Sequence, residues 1–185
     1  MFANQTIKFR LIFTISLLSA QLVVVGLLGL HGMNTSREGL RTVYEDRLVA
    51  QHELSNISIA QAENQRQLHL MLMHDPRLPE SKLHDHQQAF HLDKMDENTK
   101  KNNEAWEAYL ATHQTSEGRA LTGQFLEKRK GYQVARNKVL ELIKAGNYLD
   151  ANTTLVKEVG PAYAANVEAM YELTELQTRL GKQEY

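Results

Sequence analysis

The hydrophobic pattern of the chain has two parts, an apolar stretch near the N-terminus and a longer amphipathic region behind it. Residues 11–30 contain no charged side chain. Beyond about residue 34, apolar side chains recur at alternating steps of three and four, the spacing that places them on one face of an α-helix. This pattern predicts four helical segments, at roughly residues 34–74, 80–112, 116–145 and 148–182.

Three turn signals separate the four segments. Two prolines follow Asp75 at positions 76 and 79, and a helix cannot continue through this sequence. The second signal is a short polar stretch in which Ser116 is the expected N-cap, and the third places Gly146 just after a helix end. Pro161 interrupts the fourth segment, where it either kinks the helix or starts a new one. Short loops between long helices make neighbours antiparallel, so we predict an all-α, up-down-up-down four-helix bundle.

The apolar stretch has the length of a membrane-spanning helix, because twenty helical residues extend about 30 Å. Lys8 and Arg10 precede it and no acidic residue occurs before Glu38, so the positive-inside rule places the N-terminus in the cytoplasm. A cleaved signal peptide is the rival interpretation, but its apolar region would be about 7–15 residues long and end in a small-x-small site, which this stretch offers only poorly. We therefore predict a cytoplasmic N-terminus at residues 1–10, an uncleaved transmembrane helix at 11–31 and an outer domain at 32–185.

The composition argues against several classes of function. The 185 residues include 21 Lys and Arg against 22 Asp and Glu, whereas a nucleic-acid-binding domain would show a basic excess. Cysteine is absent, which excludes disulfides, thiolate metal sites and a cysteine nucleophile. The sequence also contains no P-loop, no glycine-flanked nucleophile elbow and no H-E-x-x-H motif. We therefore expect no enzymatic activity and no cofactor.

Two arginines interrupt the apolar seam of the third segment. Arg129, Tyr132 and Arg136 follow one another at seam spacing, so both guanidinium groups lie on one helix face. Counting across the predicted turns finds no acidic residue on the neighbouring seams to balance them. A buried guanidinium without a partner is costly, and its fork binds both oxygens of a carboxylate. We predict a site for an organic anion between the second, third and fourth segments, in which Arg129 and Arg136 bind the anion. Tyr132 and Tyr163 would donate hydrogen bonds from their hydroxyl groups. Thr99 and Asn102 would orient the far end of the anion.

A different helix register gives another interpretation of the arginines. A shift of one position would move Arg129 and Arg136 to the rim of the bundle, where they would form surface ion pairs with Glu127, Glu141 or Glu158. The sequence leaves both interpretations open.

The histidines form a second unusual group, because five of the eight lie within 23 residues around the first turn. These are His69, His74, His84, His86 and His91. They include no pair at i, i+4 and no flanking carboxylates with the spacing of a zinc site. We therefore predict no metal site and interpret them as solvated residues at a turn, with metal binding and a pH-responsive tip as alternatives.

Four features of the sequence occur in a familiar order. A short basic N-terminus precedes one apolar span, VYEDRLV at 43–49 opens the first segment, and WEAY at 106–109 lies near the end of the second. Residues 145–177 then begin with A-G-N-Y, contain Val-Gly-Pro-Ala-Tyr at 159–163 and end with L-x-x-L-Q. In these features nearly the whole chain resembles the N-terminal part of a bacterial methyl-accepting chemotaxis protein with a four-helix-bundle sensor.

The resemblance implies a receptor of the inner membrane with a periplasmic, homodimeric sensor domain. It implies that the first bundle helix continues from the first span and that the fourth leads to a second span. The chain ends at Tyr185, where that span should begin, so we expect a fragment. The absent cytoplasmic part would contact the chemotaxis kinase and its coupling protein.

The ligand class is also an implication of the resemblance. The arginines of the third segment, with Thr99 and Asn102, resemble members that bind di- and tricarboxylates inside the bundle. Members that sense aspartate carry several arginines on the distal part of the first helix. In this chain that part, residues 64–75, has a single arginine, Arg66. Two other functions stay open, namely a membrane-anchored structural or partner-binding bundle without a small-molecule ligand, and an amino-acid sensor at the dimer interface.

Overall fold

The computed structural model describes residues 6–184, and this part of the chain forms four long helices with no β-strand. The helices are α1 at Ile7–Leu72, α2 at Gln88–Ala111, α3 at Ser116–Lys144 and α4 at residues 148–184. A π-helical turn interrupts α1 at Val43–Leu48 and α4 at Leu155–Val159. The predicted all-α bundle behind a long apolar N-terminal helix is confirmed.

The apolar stretch and the first bundle helix form one continuous rod. None of the side chains in Ile7–Thr42 is buried. The N-terminal part of α1 is long and apolar enough to cross a membrane, as judged by length and composition. The bundle therefore begins only where α1 passes beyond this exposed part. The end of the bundle near residue 45 is called the proximal end, and the end near residue 75 is called the distal tip.

The bundle consists of two helical hairpins. The first hairpin pairs α1 with α2, and the second pairs α3 with α4. Close backbone contacts between α1 and α4 join the hairpins, whereas α2 and α3 approach each other at far fewer positions. The seam between α2 and α3 is therefore the least tightly closed side of the bundle.

The structure corrects two predicted helix starts. The second helix begins at Gln88 rather than near residue 80, because Pro79–Leu83 forms a short 3-10 turn and the backbone is extended at His84 and Gln87. The N-cap of α3 is Thr115 rather than Ser116, since the Thr115 hydroxyl accepts a hydrogen bond from the Gly118 amide at 3.0 Å.

The other two turn predictions concern Gly146 and Pro161. Gly146 has a φ of +75°, and its amide donates to the carbonyl of Ile143, as expected for a residue that follows a helix end. At Pro161 the helix neither stops nor restarts. The Gly160 amide donates to Leu155, five residues back, so the hydrogen-bond register shifts just before the proline, which has no amide proton.

The core of the bundle contains two apolar clusters with a polar layer between them. The proximal cluster includes Leu54, Ile57, Trp106, Phe125 and Leu173, and the distal cluster includes Leu68, Met95, Tyr132, Val139 and Val159. The layer between them consists of five buried amide side chains, Gln61, Asn64, Asn98, Asn102 and Asn166. A polar layer of this kind costs stability unless its hydrogen bonds are completed.

Candidate ligand-binding site

A small cavity lies in the polar layer, between α1, α2 and α3. Its lining consists of Gln61, Asn64, Thr99, Asn102, Arg129, Tyr132, Gln133 and Arg136. Five of the six residues predicted to bind an anion are therefore neighbours around one space. The cavity volume is about 20 Å³, which is room for about one water molecule.

The two arginines of the cavity donate hydrogen bonds to amide side chains. Arg129 donates to the side-chain oxygen of Asn103 at 2.8 Å and lies 5.9 Å from the ring centre of Trp106. Arg136 donates to the side chain of Asn137 at 3.1 Å. Within residues 6–184, neither guanidinium forms an ion pair with a carboxylate, and Glu158, one of the alternative rim partners, pairs with Lys138 instead.

Partial burial of Arg129 makes its positive charge energetically unfavourable. Desolvation, and then the like charge of Arg136, lower the pKa of Arg129 from its usual value. An anion between the two guanidinium groups would relieve both effects, since it would supply the opposite charge at close range.

Several amide groups of the polar layer have incomplete hydrogen bonding. Asn102 donates to the backbone carbonyl of Ile57 at 3.2 Å, and Asn64 donates to the Thr99 hydroxyl at 3.4 Å. The side-chain oxygens of Asn64 and Asn102 are buried without a partner. The lining thus combines two cationic donors with two amide oxygens that can accept a hydrogen bond.

The tyrosines differ from the predicted arrangement. Tyr132 is only 2% exposed, its hydroxyl already donates to Gln65 on α1 at 3.2 Å, and burial raises its pKa to about 12. Tyr163 does not line the cavity, although its ring centre lies 5.3 Å from that of Tyr132. Its hydroxyl, whose pKa is also raised by burial, belongs to the edge of the distal cluster.

The third wall of the cavity is α1, not the predicted α4. Gln61 and Asn64 form this wall, and sequence reasoning did not include them in the site. The available signal was their place in the first helical segment, where two amides interrupt the apolar seam between Ile57 and Leu68.

A larger open groove of about 850 Å³ runs between α1 and α2 on the outside of the bundle. Ile59 is 65% exposed beside this groove, and Ala60, Ala62, Ala105 and Ala108 are among its lining residues. Arg66, which also lines the groove, donates to both carboxylate oxygens of Glu63, at 2.7 and 2.9 Å. The hydrogen bonds from Arg66 are the main reason why the pKa of Glu63 is lowered to about 2. The groove thus combines Ile59 and alanine side chains with charged residues, among them Lys101 and Glu104.

Comparison with known protein families gives one match. A family model described as a four helix bundle sensory module for signal transduction matches residues 4–185, nearly the whole chain. A search of curated proteins finds no match.

Proposed function

The chain belongs to the four-helix-bundle sensory modules of methyl-accepting chemotaxis proteins, and we propose that it binds a small organic acid anion, a di- or tricarboxylate, in its polar layer. A membrane-anchored receptor would then report the presence of this anion by a change in the bundle. The sensory role follows from the family, whereas the ligand class is argued from the cavity.

The observation that carries the ligand class is a pair of guanidinium groups that form no ion pair with a carboxylate of residues 6–184. Arg129 and Arg136 are half-buried, line one cavity and have no carboxylate partner among residues 6–184. A carboxylate fits each guanidinium fork, so an anion with two or more carboxylates engages both arginines at once. The unpaired oxygens of Asn64 and Asn102 favour an anion that also carries a hydroxyl group.

Binding of such an anion requires the bundle to open. The cavity holds about one water molecule, and the weakly packed seam between α2 and α3 is the side that can widen with the least loss of contact. The ligand would bind the wider form more tightly and so increase its population. A displacement of α3 against α1 and α2 would then reach α4 through the second hairpin, which gives the signal a route toward the membrane.

A thermal-melting screen of the 185-residue chain in detergent micelles tests the proposal. Citrate and malate carry a hydroxyl group, tricarballylate and succinate are their counterparts without one, and aspartate represents the amino acids. At a hundredfold excess over Kd a ligand should stabilise the protein by about 2.7 kcal/mol. If no acid in this panel raises the melting temperature, the anion proposal is wrong.

Arg136→Gln, with Lys130→Gln as the control, connects the ligand to the cavity. Lys130 is an exposed cation on the same helix and does not line the cavity. A charge-assisted hydrogen bond contributes about 1.5–3 kcal/mol, so Arg136→Gln should weaken binding by about one to two decades, and the control should not. The unliganded Arg136→Gln protein should melt no earlier than the wild type, because the substitution removes repulsion with Arg129. Loss of stability with unchanged affinity would show that Arg136 has a structural role instead.

We further propose that residues 1–10 are cytoplasmic, that residues 11–31 span the inner membrane and that residues 32–185 lie in the periplasm. The support is the exposed apolar half of α1, preceded by Lys8 and Arg10. Alkaline phosphatase fused after residue 185 should be active, since it folds only outside the cytoplasm, and β-galactosidase fused there should be inactive. The opposite pair of results would reverse the orientation.

We also propose two protein partners, and membership of the family supports both. A second copy of the chain would pack on α1, and a cytoplasmic part of the receptor would contact the chemotaxis kinase and coupling protein.

A further inference from the structure

Four histidines meet at the distal tip, outside the cavity of the polar layer. His74 follows the end of α1, His84 and His86 lie in the loop, and His91 lies in the first turn of α2. One ring nitrogen from each of the four lies within 4.8 Å of the others. The predicted absence of a metal site was based on ligand spacing along one helix, but these four residues come from three separate segments.

Hydrogen bonds fix the orientation of two of the rings. The Nδ1 of His91 lies 2.6 Å from Oε1 of Gln67, and the Nδ1 of His86 lies 2.7 Å from a carboxylate oxygen of Asp85. Both oxygens are acceptors, so each Nδ1 carries the proton. In the neutral rings, each Nε2 therefore presents a lone pair to the centre of the cluster.

These lone pairs face one another at short range. The Nε2 atoms of His86 and His91 are 3.0 Å apart, and those of His91 and His74 are 3.1 Å apart. In the His86–His91 pair both Nε2 atoms lack a proton and cannot hydrogen-bond to each other, so this contact is favourable only with a cation, a shared proton or a metal ion, between them. With zinc–nitrogen bonds of about 2.0–2.1 Å, the nitrogens of a tetrahedral site are about 3.3–3.4 Å apart, close to the separations found here.

We propose that His74, His84, His86 and His91 bind one divalent transition-metal ion, of the class that prefers imidazole ligands and includes Zn²⁺. The set contains no oxygen ligand, which argues against Mg²⁺ and Ca²⁺. His91 is only 1% exposed and the other three are half-buried, so the centre of the cluster is shielded from water.

The surroundings of the cluster are those of a metal site. Asp85 and Gln67 accept the outer proton of a ligand histidine, as the outer partners of metal-bound histidines do. Gln67 is itself fixed, because its amide donates to Glu63 at 2.6 Å.

A metal at this place would join the distal loop to both helices of the first hairpin. This site would exist independently of the proposed anion site, since the two share no lining residue. A sensor with both sites would respond to a metal ion at its tip and to an anion in its polar layer.

Metal titration of the full 185-residue chain in detergent tests the site. The protein is purified without a polyhistidine tag, stripped with a chelator, and titrated with Zn²⁺ against a competing indicator and with Co²⁺ by visible absorption. We expect one Zn²⁺ per chain and an intense Co²⁺ spectrum typical of four-coordinate geometry. His86→Ala and His84→Ala should each weaken binding at least a hundredfold, and Asp85→Ala about tenfold to a hundredfold.

His69→Ala and His113→Ala are the matched controls, because both remove an exposed histidine outside the cluster. His84 and His86 lie in a loop, so their variants should keep the helical circular dichroism of the wild type. Absence of Zn²⁺ binding by the folded wild type, or equal affinity in His86→Ala and the controls, would overturn the proposal. Neither result depends on whether the protein binds an organic acid.

Discussion

At the scale of single residues, the unusual property of this protein is a core that contains amides where a bundle normally contains leucines. Asn166 is fully buried and donates to Gln61 at 2.6 Å, which joins α4 to α1 in the polar layer. The same layer holds Asn102, whose oxygen has no partner. Buried polar groups stabilise a bundle only when they are satisfied, so these amides make the core less stable than a fully apolar one of the same shape.

A double-mutant cycle on Gln61 and Asn166 measures what this pair contributes. Asn166→Leu alone leaves the Gln61 oxygen buried without its donor and should lower the free energy of unfolding by about 1–3 kcal/mol. Adding Gln61→Met should restore most of the loss, because both polar groups are then replaced by apolar ones. Chemical denaturation followed by circular dichroism gives the values. Additive losses in the double variant would contradict a direct interaction between the two side chains.

At the scale of the helices, local chemistry explains where each one ends and where its register changes. Thr115 caps α3 at its start, and the positive φ of Gly146 closes its end. The two π-helical turns each absorb one extra residue, one on α1 before the bundle core and the other on α4 just before Pro161. Both thus lie on α1 and α4, the two helices whose contacts join the hairpins.

Two glycine substitutions, one within α3 and one just after its end, should change stability in opposite directions. Gly146→Ala forces alanine into the left-handed region and should cost about 1 kcal/mol, although nothing lies within 4 Å of the added methyl group. Gly131→Ala adds a methyl group in equally open space but in the interior of the helix, and should stabilise by about 0.5–1 kcal/mol. Thermal melting of both variants checks the signs. A gain in stability for Gly146→Ala would mean that the turn is not held in this conformation.

At the scale of the whole molecule, the second hairpin packs on α1, and α1 continues into the exposed apolar N-terminal part of the described chain. The outer face of α1 also carries Ile59, an exposed apolar side chain beside a groove lined by alanines. A large side chain next to small ones is the pattern by which two helices interdigitate. We propose that this groove contacts the α1 helix of a second copy, related by a two-fold axis.

Single cysteines test this proposed homodimer, because the chain has none of its own. Ile59→Cys should be crosslinked between two copies by a short bismaleimide, whereas Val134→Cys should not. The two native side chains are equally exposed, at 65% and 64%, but Val134 lies on α3. Crosslinking is followed by gel electrophoresis of the protein in native membranes. Equal yields from both positions would indicate random collision instead of a specific interface.

The sequence by itself determined the helices, their order and the position of the arginines. Helical periodicity and turn chemistry are local properties, so the seams, Gly146 and the apolar N-terminal helix could be predicted from neighbouring residues. The grouping of Arg129 and Arg136 with Thr99 and Asn102 also followed, because antiparallel helices with short loops have nearly fixed registers. The 3-10 turn at Pro79–Leu83 was missed, since the sequence pattern alone did not show how far the loop extends before α2 begins.

Only the tertiary structure decided which helix completes the cavity and which histidines meet. Periodicity shows the face of each helix but not how far each helix is rotated and displaced against the others, so Gln61 and Asn64 rather than Tyr163 form the third wall. The histidine cluster depends on the path of an irregular loop, which has no periodicity to interpret. Sequence spacing could not reveal that His74, His84, His86 and His91 converge, because folding brings their ring nitrogens together from three segments.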